Sequence, residues 1–265
     1  MAFIMNKGGP VVNKERSHIR THILAILLAA ASTVGIFYIV LSPLLAGDSA
    51  IRRTLPIYSV QREYKTVALT FNASDIEDGS TTDILAALES YGIKATFFVT
   101  GQWAEANPAL LIQIAASGHE IMNLSDDYSD FKRMTASQMQ ANIAACSDKI
   151  ETLTGVRPTL FRAPYGVYDD HVVTTVNALG LTMIQWDVDS RDAAGLSASA
   201  ITRRVSSKIQ PGSIVMFHCG KSTTAEAMPG ILRSLLQDGY SVTPVSNLIL
   251  TSEYTVSATG RQMPA

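Results

Sequence analysis

Cysteine is scarce in this chain of 265 residues: Cys146 and Cys219 are the only two, too few for a disulfide scaffold, and neither stands in a metal-ligand spacing. Met139, Ile143, Cys146, Ile150 and Leu153 recur at helical spacing, so Cys146 reads as a small core residue rather than half of a 146–219 bridge. Internal repeats and low-complexity tracts are missing as well. The net charge of −2 is too small to point to a charged partner, and no nucleic-acid partner is expected. A hydrophobic content of 47% excludes disorder throughout, and the length suffices for one large domain plus an appendage.

Charge is absent altogether from Ile23 to Ala46, a run of 24 residues. At ~1.5 Å per residue it covers the ~30 Å hydrocarbon core of a bilayer. A transmembrane signal-anchor helix is therefore expected over 23–46. A cleaved signal peptide is the alternative, although such apolar regions usually run only ~7–15 residues. Residues 1–22 form a basic tail of net charge +3, with Lys7, Lys14, Arg16 and Arg20 against Glu15, while the remainder carries −5. That asymmetry keeps the tail cytoplasmic. The expected location is the cell membrane, single-pass, with the C-terminal domain extracytoplasmic.

Residues 47–61 read as a linker, in which Arg52, Arg53 and Pro56 break any apolar run. Strands are expected near 66–72, 95–99, 119–122, 159–162, 181–186, 213–217 and 241–245. Helices are expected near 82–91, 108–117, 135–154, 169–179, 198–209 and 225–238. This alternation implies an α/β fold with parallel strands, because parallel neighbours need crossover connections. Thr135 and Gln138 have capping-box spacing, and Gly239 stands where the last helix should stop. Residues 252–265 read as a polar tail. Periodicity alone leaves a closed barrel and an open doubly wound sheet equally available.

Five short blocks decide between them. They are Val67-Ala68-Leu69-Thr70-Phe71-Asn72, Gly92-Ile93-Lys94-Ala95-Thr96-Phe97-Phe98-Val99, Gly118-His119-Glu120-Ile121, Phe161-Arg162-Ala163-Pro164-Tyr165-Gly166 and Ile214-Val215-Met216-Phe217-His218. In this order and spacing they resemble the polysaccharide deacetylase family, also called the NodB homology domain or carbohydrate esterase family 4, over residues 62–251. The resemblance implies an irregular seven-stranded (β/α) barrel, a bacterial setting, and a cell-wall glycan or peptidoglycan as partner. It also implies hydrolysis of an N-acetyl group by a divalent metal such as zinc, held by one Asp and two His beside an Asp base.

This sequence departs from that pattern at the water-activating half. The family's Asp-Asp pair is replaced by Asn72 at the base position and Ala73 at a metal position; the two metal-binding His positions are Leu124 and Tyr128. Asn cannot accept a proton at neutral pH, and Ala and Leu carry no ligand atom, so no metal cofactor is expected. The other half is retained. Arg162 and Tyr165 match the family's Arg-x-Pro-Tyr, where Arg orients the base and the Tyr backbone N–H helps hold the oxyanion. Met216 matches the acetyl-pocket position, His218 the general acid, and Asp189 is expected to position His218. Ala193 stands where the family has an aromatic wall.

Plainer readings stand beside these. Arg162 could pair with Asp189 or Asp187 in a buried network. His218 could be a satisfied core histidine, and His119 is expected to be structural. Asp75, Glu77, Asp78, Asp126 and Asp127 read as solvated loops. Two functions remain: a membrane-anchored family member that binds cell-wall glycan or a protein partner without metal-dependent hydrolysis, and an active polysaccharide or peptidoglycan N-deacetylase with a remodelled site.

Overall fold

The fold is organised by an eight-residue strand with no exposed side chain, Thr66–Ala73. The computed structural model describes residues 54–74 and 77–265. The expected basic tail, the membrane helix over 23–46, residues 47–53 of the linker and Asp75 lie outside the described residues. Among the described residues no helix is long and apolar enough to cross a membrane.

Strand β1 (Ser59–Val60) precedes β2 (Thr66–Ala73), β3 (Thr96–Val99), β4 (Glu120–Asn123), β5 (Leu160–Phe161), β6 (Thr182–Met183), β7 (Val188–Asp189), β8 (Ile214–His218) and β9 (Ser241–Val242). The main sheet runs β6-β5-β4-β3-β2-β8-β7, with β9 beside the start of β2, and every pairing in it is parallel. Each of the seven expected strands is represented. The short β7 is an addition to them.

The sheet curls into a half-barrel. Its end strands β6 and β7 are separated by only four residues of chain, and across the gap Ile57 bridges to Ile184 and Ser59 to Ser213. Part of the expected linker is therefore structural. Ile57 and Val60 are buried, and the Val60 N–H donates to the Gly212 carbonyl. Gly212, at φ 85°, permits that approach, since a Cβ there would lie 1.7 Å from the Val60 oxygen.

The expectation of a polar tail over 252–265 is corrected. Strands β10 (Tyr254–Val256) and β11 (Arg261–Pro264) form an antiparallel hairpin, and β11 pairs with β1. Gln262, fully buried, exchanges hydrogen bonds with the backbone of Leu250. A short strand whose pairing partner lies roughly 200 positions away leaves little local periodicity to read.

Strand alternation divides the sheet's two faces. Val67, Leu69, Phe71 and Ala73 join the cluster beneath the helices, together with Phe97, Val215 and Phe217. Ala68 joins Phe98, Met122, Leu124, Ile184 and Ile214 in a second cluster on the concave side. Among the described residues the α-helices are α1 (Ser80–Ser90), α2 (Gly101–Ala106), α3 (Pro108–Ala116), α4 (Ala136–Thr154), α5 (Asp170–Ala178), α6 (Ala198–Ser206), α7 (Ser222–Gln237) and α8 (Val245–Leu248). The Thr135–Gln138 capping box that opens α4 is formed in both directions. Cys146 sits in the core as expected and is a free thiol, as is Cys219.

Candidate active site

Strand register brings the retained and the degenerate positions to the carboxyl ends of the central strands, where parallel α/β sheets hold their chemistry. Asn72 on β2 is paired with His218 on β8 and with Phe98 on β3, and Thr70 is paired with Met216.

Arg162 follows β5 and is wholly buried. Its Nη1 donates to Thr70 Oγ1 and to Asn72 Oδ1, each at 2.9 Å, and its Nη2 donates to the Gln185 carbonyl at 3.2 Å. The guanidinium carbon lies 4.0 Å from the Phe98 ring centroid and 5.3 Å from that of Trp186. The expected pairing with Asp187 or Asp189 is not found: the acceptors of Nη1 and Nη2 are all neutral, and Nε has none. Asp187 is occupied elsewhere, accepting from Ser213 Oγ and the Ile214 N–H. Burial pushes the Arg162 guanidinium down to about 9, with only the Tyr128 phenol opposing.

The assignment of Asp189 as the group that positions His218 is also corrected. Asp189 pairs with Met216, two residues short of His218, and its Oδ1 accepts from the Arg191 N–H at 2.8 Å. Arg191 then adopts the left-handed region at φ 56° and turns the chain so that Asp192 reaches His218. Asp192 Oδ1 lies 2.7 Å from His218 Nδ1, and its Oδ2 accepts from the His218 N–H and from Thr224 Oγ1, both at 2.7 Å. Burial alone would raise the Asp192 carboxyl, but the His218 and Thr224 donors hold it below the usual range. The carboxylate thus orients the ring so that Nε2, rather than Nδ1, is the nitrogen left to exchange a proton with a ligand. Two Asp residues three apart were both visible in Asp189-Ser190-Arg191-Asp192. Only the turn between them decides which one arrives.

The degenerate positions are not gathered as a ligand set. Leu124 is fully buried in the concave cluster against which Tyr128 packs, whereas Ala73 lies in the helix-facing cluster on the opposite side of β2. Among the described residues no group of three or more His, Cys, Asp and Glu side chains could hold a metal ion. The donor chemistry does not fit a catalytic zinc, which takes three N, O or S ligands from the protein. Tyr128 instead stacks edge-on to Tyr165, with centroids 4.6 Å apart, and Tyr165 is 65% exposed.

His119 is structural. Its Nδ1 accepts the Ala95 N–H at 3.1 Å, its ring stands edge-on to Phe97, and burial pushes its pKa down to about 4. The acidic loop residues are engaged locally: Glu77 with Thr81, Asp78 with Ser80, Asp126 with Lys149, and Asp127 with Asn142.

Comparison with known proteins agrees with this architecture. The family model described as polysaccharide deacetylase matches residues 59–184. Chitooligosaccharide deacetylase of Bradyrhizobium is 28% identical over 73% of this chain and 98% of its own length. Peptidoglycan-N-acetylmuramic acid deacetylase PdaC of Bacillus subtilis is 31% identical over 72% of this chain, which spans only 40% of that protein. Among solved structures, wild-type BA3943 of Bacillus anthracis, described as a CE4 family pseudoenzyme, superposes with a TM-score of 0.70 at 29% identity, covering 73% of this chain and 68% of that one. A BA3943 mutant described as having restored enzymatic activity superposes equally well, with a TM-score of 0.70. The site is thus that of a deacetylase-type (β/α) fold. The chain belongs to the polysaccharide deacetylase family.

Proposed function

We propose that this is a membrane-anchored, extracytoplasmic member of the family that binds cell-wall glycan without metal-dependent hydrolysis. One observation carries the reading: the buried guanidinium that would orient a catalytic base is hydrogen-bonded to the amide of Asn72, while Ala73 and Leu124 offer no ligand atom. Without a metal, an attacking water keeps a pKa of about 15.7 rather than about 7, and Asn72 cannot take its proton. The relatives named as peptidoglycan deacetylases support the cell wall as the setting, and the description of BA3943 supports a non-catalytic form of this fold. The charge-free run over 23–46 supports the anchor.

A second reading, an active N-deacetylase, draws on the intact Asp192–His218 pair, which is the proton-donating half of the chemistry. Zinc content and acetate release from N-acetylated glycan separate the two. The expected result is no stoichiometric zinc and no acetate from the wild-type chain. Wild-type acetate release abolished by a chelator would promote the second reading.

A further inference from the structure

We propose that Tyr165 is a sugar-stacking platform and that Tyr128, standing at a former metal-ligand position, is the brace that holds it, so that the substitution which removed the metal site built part of a glycan-binding surface. The inference rests on the glycan-binding reading above and names what part of the ligand the site grips.

Tyr165 is 65% exposed and stands in the turn that follows Arg162. The Tyr128 ring meets it at 61° with centroids 4.6 Å apart, an edge-to-face contact that restrains the Tyr165 ring. Both residues occupy the left-handed region, Tyr128 at φ 61° and Tyr165 at φ 58°. Strain of this kind persists only where the surroundings enforce it.

Those surroundings can be traced. Asn123 anchors to the Ile143 carbonyl and Ser147 Oγ of α4 and accepts the Ser125 N–H; Ser125 Oγ in turn accepts the Tyr128 N–H. On the other side, Gly166 lies against Trp186, close enough that a Cβ on residue 166 would meet the indole at 2.8 Å. Tyr128 and Tyr165 thus form one ring pair, and Trp186, against Gly166, lies with its ring centroid 5.3 Å from the Arg162 guanidinium carbon. An exposed, pre-oriented aromatic face beside a polar cleft fits the C–H face of a pyranose ring. Such stacking reads the ring and not its N-acetyl group, so the ligand class is a pyranose oligosaccharide whether or not it is acetylated.

The test is calorimetric titration of the purified full chain with chito-oligosaccharides and with their fully deacetylated counterparts. Both are expected to bind. Tyr165→Ala should weaken both about tenfold, near the upper end for one lost aromatic stack. Tyr128→Leu should weaken both in the same direction, and Tyr128→Phe, which keeps the edge-to-face contact, should restore wild-type affinity. Undiminished binding by Tyr165→Ala overturns the platform and leaves glycan binding standing. Loss on Tyr128→Phe equal to that on Tyr128→Leu overturns the bracing role. Failure of the wild-type chain to bind either oligosaccharide overturns this inference and the proposed function together.

Discussion

The Asn72→Asp substitution should stabilise the protein, although it adds a buried charge. Arg162 is wholly buried with neutral partners, and burial pushes its pKa down from 12.5 to about 9, the sign of a charge that is costly to keep there. That displacement corresponds to ~5 kcal/mol, the ceiling on what a well-placed counterion could return. The Asn72 oxygen already accepts from Nη1 at 2.9 Å, so Asn72→Asp would convert a neutral acceptor into a charged one without moving an atom. A charge-assisted bond is worth ~1.5–3 kcal/mol against ~1 for a neutral one, and burying the new carboxylate offsets part of the gain. The expected net is ~1–2 kcal/mol at pH 7, or ~2–8 °C in Tm for a domain of this size. In an Arg162→Met background the same Asn72→Asp change should instead cost ~3 kcal/mol, because the carboxylate is then buried unpaired. Urea unfolding of the four proteins closes the double-mutant cycle. A coupling below ~0.5 kcal/mol would refute the claim that Arg162 is a cation awaiting its counterion.

His119 makes stability depend on pH in a defined window. With a folded pKa of about 4 against 6.5 unfolded, its contribution is complete above 6.5, declines as the unfolded chain takes up the proton, and is exhausted near 4. The loss reaches ~3 kcal/mol, and His119→Asn should flatten that segment of the unfolding profile. Protease added to intact protoplasts is expected to degrade residues 54–265, and complete protection would overturn the extracytoplasmic placement.

The strand Thr66–Ala73, the capped helix Ala136–Thr154 and the core role of Cys146 were legible because each follows from local periodicity or capping chemistry acting over a few residues. The absence of ligand atoms at residues 73 and 124 was equally legible, since it depends only on residue type. The terminal hairpin was not, because β11 gains its stability from pairing with β1 at the far end of the chain. Nor was the open aromatic face of Tyr165, which depends on a ring contact across 37 positions.

The sequence by itself therefore determined which residue types stand at the family's site positions, whereas the tertiary structure decided which of those groups meet. Asp189 and Asp192 are the same residue type on the same motif, and the left-handed turn at Arg191 sends only Asp192 to His218. Arg162 keeps its charge beside an amide because the curled sheet brings Asn72 to it across 90 positions, and no pattern within either strand encodes that meeting.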